Sequence, residues 1–134
     1  MSWHALVIAA FAFVDDTDLI HAATDPYMEP LQVLTEAQQA VNTWEGILRA
    51  TGGAIGADNE DKAFWYFLDY KFVGKRWECK SFDQLPGQLW VRNYDGRNLP
   101  ITRLEPKEAR ETLGIMIAMD GNQLAQFKCL RRKD

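Results

Sequence analysis

The stretch ALVIAAFAFVDDTDLI, residues 5–20, decides the fold. Its first part, Ala5 to Val14, is entirely apolar, which predicts a buried strand covered on both faces. Asp15 and Asp16 then predict a tight turn, and Leu19-Ile20 predicts the start of a returning antiparallel strand. The acidic pair is therefore expected at the tip of a β-hairpin, beside a packed core.

Two adjacent carboxylates in one tight turn repel each other, so at least one should have a raised pKa unless a cation or a basic neighbour compensates. No Lys or Arg occurs before Arg49, which leaves a divalent cation as the natural partner. Two-metal phosphoryl transfer uses carboxylates of this kind, converging from several strands. The sequence therefore predicts that Asp15 and Asp16 bind metal. Asp18 is expected to face solvent or to cap the turn.

Residues 30–51 carry the pattern of a helix. Apolar side chains recur there every three or four residues, and Pro30 suits the first helical position. Gly52-Gly53 supplies a stop where a left-handed residue is needed. This segment predicts one main amphipathic helix whose apolar stripe lies on a sheet. The stripe consists of Leu34, Ala37, Val41, Trp44 and Leu48.

Most of the remaining chain is typical of short strands. The aromatic run Phe64–Leu68 is strand-like, and Gly74-Lys75 and Asp95-Gly96 are turn signals. A brief helical turn is expected from Pro106 to Ala109, and a helix over the last dozen residues. The fold class that results is α+β, a mostly antiparallel sheet with one main amphipathic helix packed on it. Its other strands are predicted around residues 71–72, 77–80, 89–92, 99–103 and 112–118.

Composition limits the function. With 134 residues, 47% of them hydrophobic, the chain can build one core and has no room for a second full domain. The formal net charge of −4 argues against autonomous binding of nucleic acid.

Cys79 and Cys129 lie far apart without neighbouring histidines, so neither a disulfide framework nor a zinc site is expected. The apolar N-terminus lacks the basic segment of a signal peptide and is too short to cross a bilayer. We therefore expect an intracellular protein, cytoplasmic or nuclear, that is not secreted and has no membrane partner.

The sequence resembles the reverse transcriptases of mobile genetic elements, which are RNA-directed DNA polymerases. Their palm subdomain carries an aromatic-x-Asp-Asp hairpin, here Phe13-Val14-Asp15-Asp16. An amphipathic helix, a Gly-containing turn with a lysine-bearing loop, and a Leu-Gly hairpin follow in that order. This chain has the helix around Leu34–Thr51, Gly52-Gly53 with Lys62 downstream, and Leu113-Gly114. The resemblance covers residues 12–122, although residues 70–103 match no general signature of the family.

The resemblance implies roles for five residues. Asp15 and Asp16 would be catalytic and would hold Mg²⁺, or Mn²⁺ in its place. Lys62 would protonate the departing pyrophosphate as a general acid. Leu113 and Gly114 would contact the primer strand, because a residue without a Cβ lets the backbone approach nucleic acid closely.

The resemblance also implies what the complete enzyme contains. Residues 1–122 would be part of the palm, and 123–134 the start of the thumb, where Lys128, Arg131, Arg132 and Lys133 form a basic end. The implied partners are an RNA or DNA template with its primer and a deoxynucleotide. The family's further catalytic aspartate comes from an earlier strand, and Met1–Ala12 contains no acidic residue. We therefore expect a missing upstream segment, carrying fingers and palm, and an isolated chain that does not polymerise.

Other functions remain as alternatives. A non-catalytic remnant or interaction module would keep the palm fold without its chemistry. A Mg²⁺-binding phosphoacceptor receiver domain or a haloacid dehalogenase-type phosphatase would also use an acidic pair after a strand, although the other motifs of those classes are not in register.

Each site also has a purely structural interpretation. Asp15-Asp16 suits a solvated Asx turn, Lys62 an acidic surface loop, and Leu113-Gly114 a strand bulge. For Phe64–Phe67 core packing is favoured over base stacking, and structural roles are expected for His4 and His21.

Overall fold

A computed structural model describes residues 9–13, 16–53, 55–56, 62–92, 95–112 and 115–133. The described residues form an α+β structure with two helices and ten short strands. They fall into two compact units that alternate along the chain. The first unit comprises Met1–Ala63 and Gly87–Ile101, and the second comprises Phe64–Pro86 and Thr102–Asp134.

The first unit begins with a hairpin and a long helix. β1 (Ala9–Phe13) pairs antiparallel with β2 (Asp16–Ile20). Helix α1 (Pro30–Ala50) follows, with proline at its first position, where a missing N–H costs nothing. It ends at Ala50, and two residues later Gly52 has a φ of +85°, the left-handed conformation that stops a helix. The Gly53 N–H donates to the Leu48 carbonyl at 2.8 Å and satisfies one of the last free carbonyls.

A second hairpin completes this unit. β6 (Trp90–Arg92) pairs antiparallel with β7 (Asn98–Pro100), and α1 lies along β6. Gly96 has a φ of +80° in the connection. The buried apolar side chains of the unit come from α1 and from the segment around this hairpin, so the helix covers the hairpin as an amphipathic helix should. They are Leu34, Ala40, Val41, Leu89, Val91 and Ile101.

The second unit contains three strand pairs and a terminal helix. β3 (Phe64–Trp65) and β8 (Thr102–Arg103) are parallel. β4 (Tyr70–Val73) with β5 (Arg76–Cys79), and β9 (Ala109–Thr112) with β10 (Ile115–Ala118), are antiparallel. Helix α2 (Leu124–Lys133) follows β10. Among the described residues of this unit, the buried apolar ones are Leu85, Leu104, Pro106 and Ala118.

The predicted α+β class is confirmed, and so are both helices and the hairpin turns at Gly74-Lys75 and Asp95-Gly96. The structure differs from the single, mostly antiparallel sheet that was predicted. Among the described residues the strands form separate pairs, in which β1 pairs with β2. One of these pairs, β3 with β8, is parallel. The aromatic run forms only the two-residue strand β3. The single strand predicted for 112–118 is a hairpin, β9 with β10. Neither described helix is both long and apolar enough to span a bilayer.

Gly87 provides a test of the packing between α1 and the segment that leads into β6. A Cβ built at Gly87 would collide with the Cδ2 atom of the buried Leu34. We expect Gly87→Ala to destabilise the protein by about 1–2 kcal/mol, because Leu34 must leave its rotamer. Gly46→Ala is the matched control, since a Cβ on this exposed helical glycine meets nothing within 4 Å. It should stabilise by about 0.5–1 kcal/mol through helix propensity. Urea unfolding followed by circular dichroism measures both, and equal effects would contradict the packing.

Candidate functional site

The β1–β2 hairpin carries the predicted acidic pair. Its register places Phe13 opposite Asp16, so the connection is the two residues 14 and 15. Two-residue connections are the commonest in hairpins, because their twist matches that of the strands. The predicted hairpin is therefore confirmed, with the returning strand beginning at Asp16 rather than at Leu19. Asp15 lies outside the described residues.

The side chains that follow the turn along β2 are mostly open to solvent. Thr17 and Asp18 are exposed, and Asp18 lies opposite Phe11 in the strand pair. The prediction that Asp18 faces solvent is confirmed.

A histidine links the hairpin to α1. The His21 side chain is largely buried at the end of β2, and its Nε2 lies 3.2 Å from Oε2 of Glu36. The geometry suits an Nε2–H that donates to this carboxylate, while Nδ1 is buried without a partner among the described residues. The structural histidine expected here is thus shown for Nε2, whereas Nδ1 has no partner among the described residues. The contact fixes the base of the hairpin beside the helix.

The metal site itself stays a prediction. Within the described parts of the chain, no three His, Cys, Asp or Glu side chains are grouped closely enough to hold a metal ion. Asp15 is not among those parts. The pair Asp15-Asp16 therefore remains the candidate metal centre, and Mg²⁺ or Mn²⁺ the candidate ion. Mg²⁺ is commonly held by one or two carboxylates together with substrate phosphates, so a two-residue protein contribution suits it.

Lys62, the predicted general acid, is exposed in the first unit. A Cβ added at Gly56 would lie 3.6 Å from the Lys62 Cβ and 3.7 Å from its Cδ, so the stem of the lysine passes over this glycine. In the described part of the chain Lys62 forms no ion pair. The role of Lys62 as general acid therefore stays a prediction.

The predicted primer-binding residues, Leu113 and Gly114, lie outside the described residues. The strands on either side are described, and Thr112 is opposite Ile115. β9 and β10 therefore form a hairpin, and the primer contact of Leu113 and Gly114 stays a prediction. The Met116 N–H donates to Oε1 of Gln126 at 2.8 Å and ties β10 to α2.

The turn before α2 is ordered by Asn122. Its Oδ1 accepts the Leu124 N–H at 3.3 Å, and its Nδ2 donates to the Lys107 carbonyl at 3.2 Å and to Asp120 Oδ1 at 2.7 Å. An asparagine in this place satisfies a free N–H at the start of the helix. The Asn122 side chain thus joins the start of α2 to the approach to β9.

Sequence reasoning missed the polar contacts between α1 and β6. The Gln38 amide bonds both backbone groups of Trp90, donating to its carbonyl and accepting its N–H at 2.8 Å each. Glu45, whose side chain is only 9% exposed, accepts the Arg92 N–H at 3.3 Å and pairs with Arg49 at 2.9 Å. These side chains take the place of a third strand at the edge of β6. Helical spacing showed Gln38 and Glu45 only as polar positions.

A groove of about 550 Å³ lies beside these contacts. Gln38, Asn42, Glu45, Arg49 and Trp90 are among the residues that line it. The Gln38 amide and the Glu45 carboxylate already bond the β6 backbone. Their arrangement therefore serves the fold, and a cofactor entering here would compete with those bonds.

The aromatic run packs around a cation in the second unit. The Arg103 guanidinium lies 5.1 Å from the Trp65 ring centroid, 5.9 Å from that of Phe67 and 4.5 Å from that of Phe82. Burial lowers the pKa of Arg103, and Glu105 opposes the shift. Cation–π contact of this kind stabilises a partly buried guanidinium. The rings near Arg103 thus contact the guanidinium, while Phe64–Phe67 are only half-buried, so the core packing predicted for them stays a prediction.

Comparison with family models, with curated proteins and with solved structures gave no match. The resemblance to reverse transcriptases therefore depends on the residues and on the order of the elements that carry them.

Proposed function

We propose that this chain is the C-terminal part of the palm of an RNA-directed DNA polymerase, with the first helix of its thumb. The reaction is two-metal nucleotidyl transfer, in which the primer 3′-hydroxyl attacks the α-phosphate of a deoxynucleotide. Asp15 and Asp16 hold Mg²⁺ in this proposal. Lys62 is the candidate acid for the pyrophosphate, and Leu113-Gly114 the candidate contact with the primer.

The observation that supports this most is the β1–β2 register. Pairing of Phe13 with Asp16 limits the connection to two residues, and Asp16 begins the returning strand. The proposal places the carboxylates of Asp15 and Asp16 at this connection, where substrate phosphates would have access to them. The His21–Glu36 contact then holds the hairpin beside a helix of 21 residues.

The order of the remaining elements adds support. The β9–β10 hairpin connects through residues 113 and 114, where the family has its Leu-Gly hairpin, and helix α2 follows directly. α2 also carries the basic residues Lys128, Arg131, Arg132 and Lys133. Positive charge on the first thumb helix suits contact with a nucleic-acid backbone.

Metal binding tests the proposal on the chain itself. We expect Mn²⁺, added as a paramagnetic substitute for Mg²⁺, to broaden the backbone amide resonances of residues 13–17 before any others. Asp15→Asn and Asp16→Asn should each weaken this broadening strongly, because each removes a charged ligand. Asp18→Asn is the matched control, since it removes the same charge from an exposed position two residues away. Broadening centred on the acidic sequence 58–61 would contradict the site.

Catalysis is tested by joining the chain to the fingers and upstream palm segment of an active reverse transcriptase. Primer extension should then depend on both aspartates, with a loss of about 100-fold or more for either asparagine variant, because the metal ions contribute several kcal/mol to the transition state. Asp18→Asn should retain activity. Metal binding without any extension would support the non-catalytic remnant instead.

A further inference from the structure

The β4–β5 hairpin, residues 70–79, exposes aromatic rings that have no role in the proposed metal site. We call it the aromatic hairpin. Phe72 lies opposite Trp77 in the strand pair, and their ring centroids are 5.2 Å apart at an angle of 57°. Phe72 is 61% exposed and Trp77 69%. Large aromatic side chains are usually buried, so an adjacent pair left open indicates a binding surface.

The aromatic face extends one step further from the turn. Tyr70 lies opposite Cys79, two positions along from the ring pair, and alternation places both on the same face. Half of Tyr70 is exposed. Burial raises the pKa of the Cys79 thiol, as does Asp120, while a hydrogen bond with Tyr70 opposes the shift. Tyr70, Phe72 and Trp77 therefore present a continuous row of rings on one side of the hairpin.

The aromatic hairpin is basic in an otherwise acidic chain. Residues 69–80 contain four cations and two carboxylates, a net charge of +2, whereas the whole chain carries −4. Lys80 pairs with Asp69 at 2.6 Å, and the side chain of Arg76, 80% exposed, lies 3.5 Å from Glu78. Among the described residues Lys71 and Lys75 form no ion pair. Their charges remain available to an anion.

The turn sets the position of one of these cations. Gly74 and Lys75 both have positive φ, +54° and +72°, which is the type I′ turn that closes a two-residue hairpin. Lys75 therefore lies at the tip, two residues from Trp77. Lys71 and Arg76 are on the opposite face of the strand pair from the rings. Because the sheet is only two strands wide, both still lie within about one Debye length of a chain on the aromatic face.

We propose that the aromatic hairpin is a binding site for single-stranded nucleic acid, with bases stacked on Phe72 and Trp77 and phosphates drawn to Lys75, Lys71 and Arg76. Exposed rings beside cations are what sequence-tolerant binding of single strands requires. An acidic peptide would use the cations and leave the rings without stacking partners. A second copy of the chain would bring the same positive charge to the same surface, which is unfavourable. The inference goes beyond the proposed function and does not depend on it, since Asp15 and Asp16 take no part.

The test is the binding of a labelled oligodeoxythymidine of about 15 nucleotides, followed by fluorescence anisotropy in EDTA. An abasic strand of the same length is the key comparison, because it has the same phosphates and no bases. We expect the abasic strand and a blunt duplex to bind about tenfold more weakly than oligodeoxythymidine. Binding should weaken from about 50 mM to about 200 mM salt, as phosphate contacts do.

Variants locate the site. Trp77→Ala and Phe72→Ala should each raise the dissociation constant for oligodeoxythymidine about tenfold and abolish the preference over the abasic strand. Trp77→Phe keeps an aromatic face and should retain most of the affinity. The matched control is Tyr27→Ala, which removes an aromatic side chain that is 91% exposed in the other unit. Lys75→Gln should reduce the salt dependence, whereas Lys107→Gln, at another exposed lysine, should not.

Three results would overturn the inference. The first is equal affinity for the oligodeoxythymidine and the abasic strand, and the second is competition by polyglutamate as effective as that by oligodeoxythymidine. The third is a change of oligomeric state by Trp77→Ala with nucleic-acid binding unchanged, which would make the rings a contact between copies of the chain. The nucleic-acid binding assay contains no metal, so a lack of binding would not affect the Mn²⁺ result at Asp15 and Asp16. A lack of Mn²⁺ binding would likewise not affect the result of the nucleic-acid assay.

Discussion

Replacing Leu85 by alanine is expected to lower the free energy of unfolding by about 2–5 kcal/mol. Leu85 is 1% exposed and follows a turn in which its own N–H donates to the Ser81 carbonyl at 3.0 Å. Ser81 and Gln84 close that turn through a bond from the Ser81 N–H to Oε1 of Gln84 at 3.1 Å. Because the backbone is fixed in this way, it cannot easily collapse into the cavity that alanine would leave. The cost should therefore include a cavity contribution as well as the lost transfer energy of the side chain.

The measurement for Leu85 is urea unfolding followed by both circular dichroism and tryptophan fluorescence, so that a transition confined to one unit is noticed. Leu130→Ala is the matched control, because Leu130 is half-exposed on α2 in the same unit and alanine is a good helix residue. We expect the control to change stability by less than about 0.5 kcal/mol. Equal costs for the two variants would show that Leu85 does not fill a packed core.

The elements that the sequence predicts well are those encoded by neighbouring residues. α1 has its proline at the start, its glycine at the stop and a helical stripe between them. The hairpin turns at Gly74-Lys75 and Asp95-Gly96 are similarly local, since each needs only residues that adopt positive φ. These signals act over a few positions, and nothing elsewhere in the chain opposes them.

Partnerships between distant segments were not predictable in the same way. β3 pairs in parallel with β8 across more than thirty residues, and no turn residue can encode that pairing. The edge of β6 is covered by the Gln38 and Glu45 side chains of α1, which lie more than forty residues earlier in the chain. The helical pattern shows only that a glutamine or a glutamate lies outside the apolar stripe. It does not show whether the side chain contacts water or the edge of a strand.

The same distinction between local and distant signals applies to the candidate site. The hairpin below the acidic pair follows from an apolar run, two aspartates and a second strand, all within sixteen residues, and Asp16 begins β2. The exposure of Phe72 and Trp77 did not follow from the sequence, because a β-strand rich in aromatic residues usually has a buried face. Whether that face is covered depends on segments far away in the chain. The aromatic hairpin therefore had to be found in the structure.

Glu45→Ala is expected to cost about 2–3 kcal/mol of stability, because it leaves the Arg92 N–H without its acceptor beside a helix. The carboxylate bonds this N–H at 3.3 Å and Arg49 at 2.9 Å, and Arg49 in turn donates to the Arg92 carbonyl at 3.1 Å. Arg49 is 43% exposed, so water can solvate it once the carboxylate is gone. Solvation of Arg49 keeps the expected cost below the roughly 3–5 kcal/mol that is lost when one partner of a fully buried ion pair is removed.

Glu45→Gln separates the two contributions of the carboxylate. Glutamine can still accept the Arg92 N–H through its carbonyl oxygen, whereas it loses the charge that pairs with Arg49. We expect it to cost about 1 kcal/mol, and Gln39→Ala, at an exposed position on the same helix, to change stability by less than about 0.5 kcal/mol. Urea unfolding measures all three variants. A Glu45→Gln cost as large as that of Glu45→Ala would place the stabilisation in the ion pair, and the bond to β6 would then contribute little.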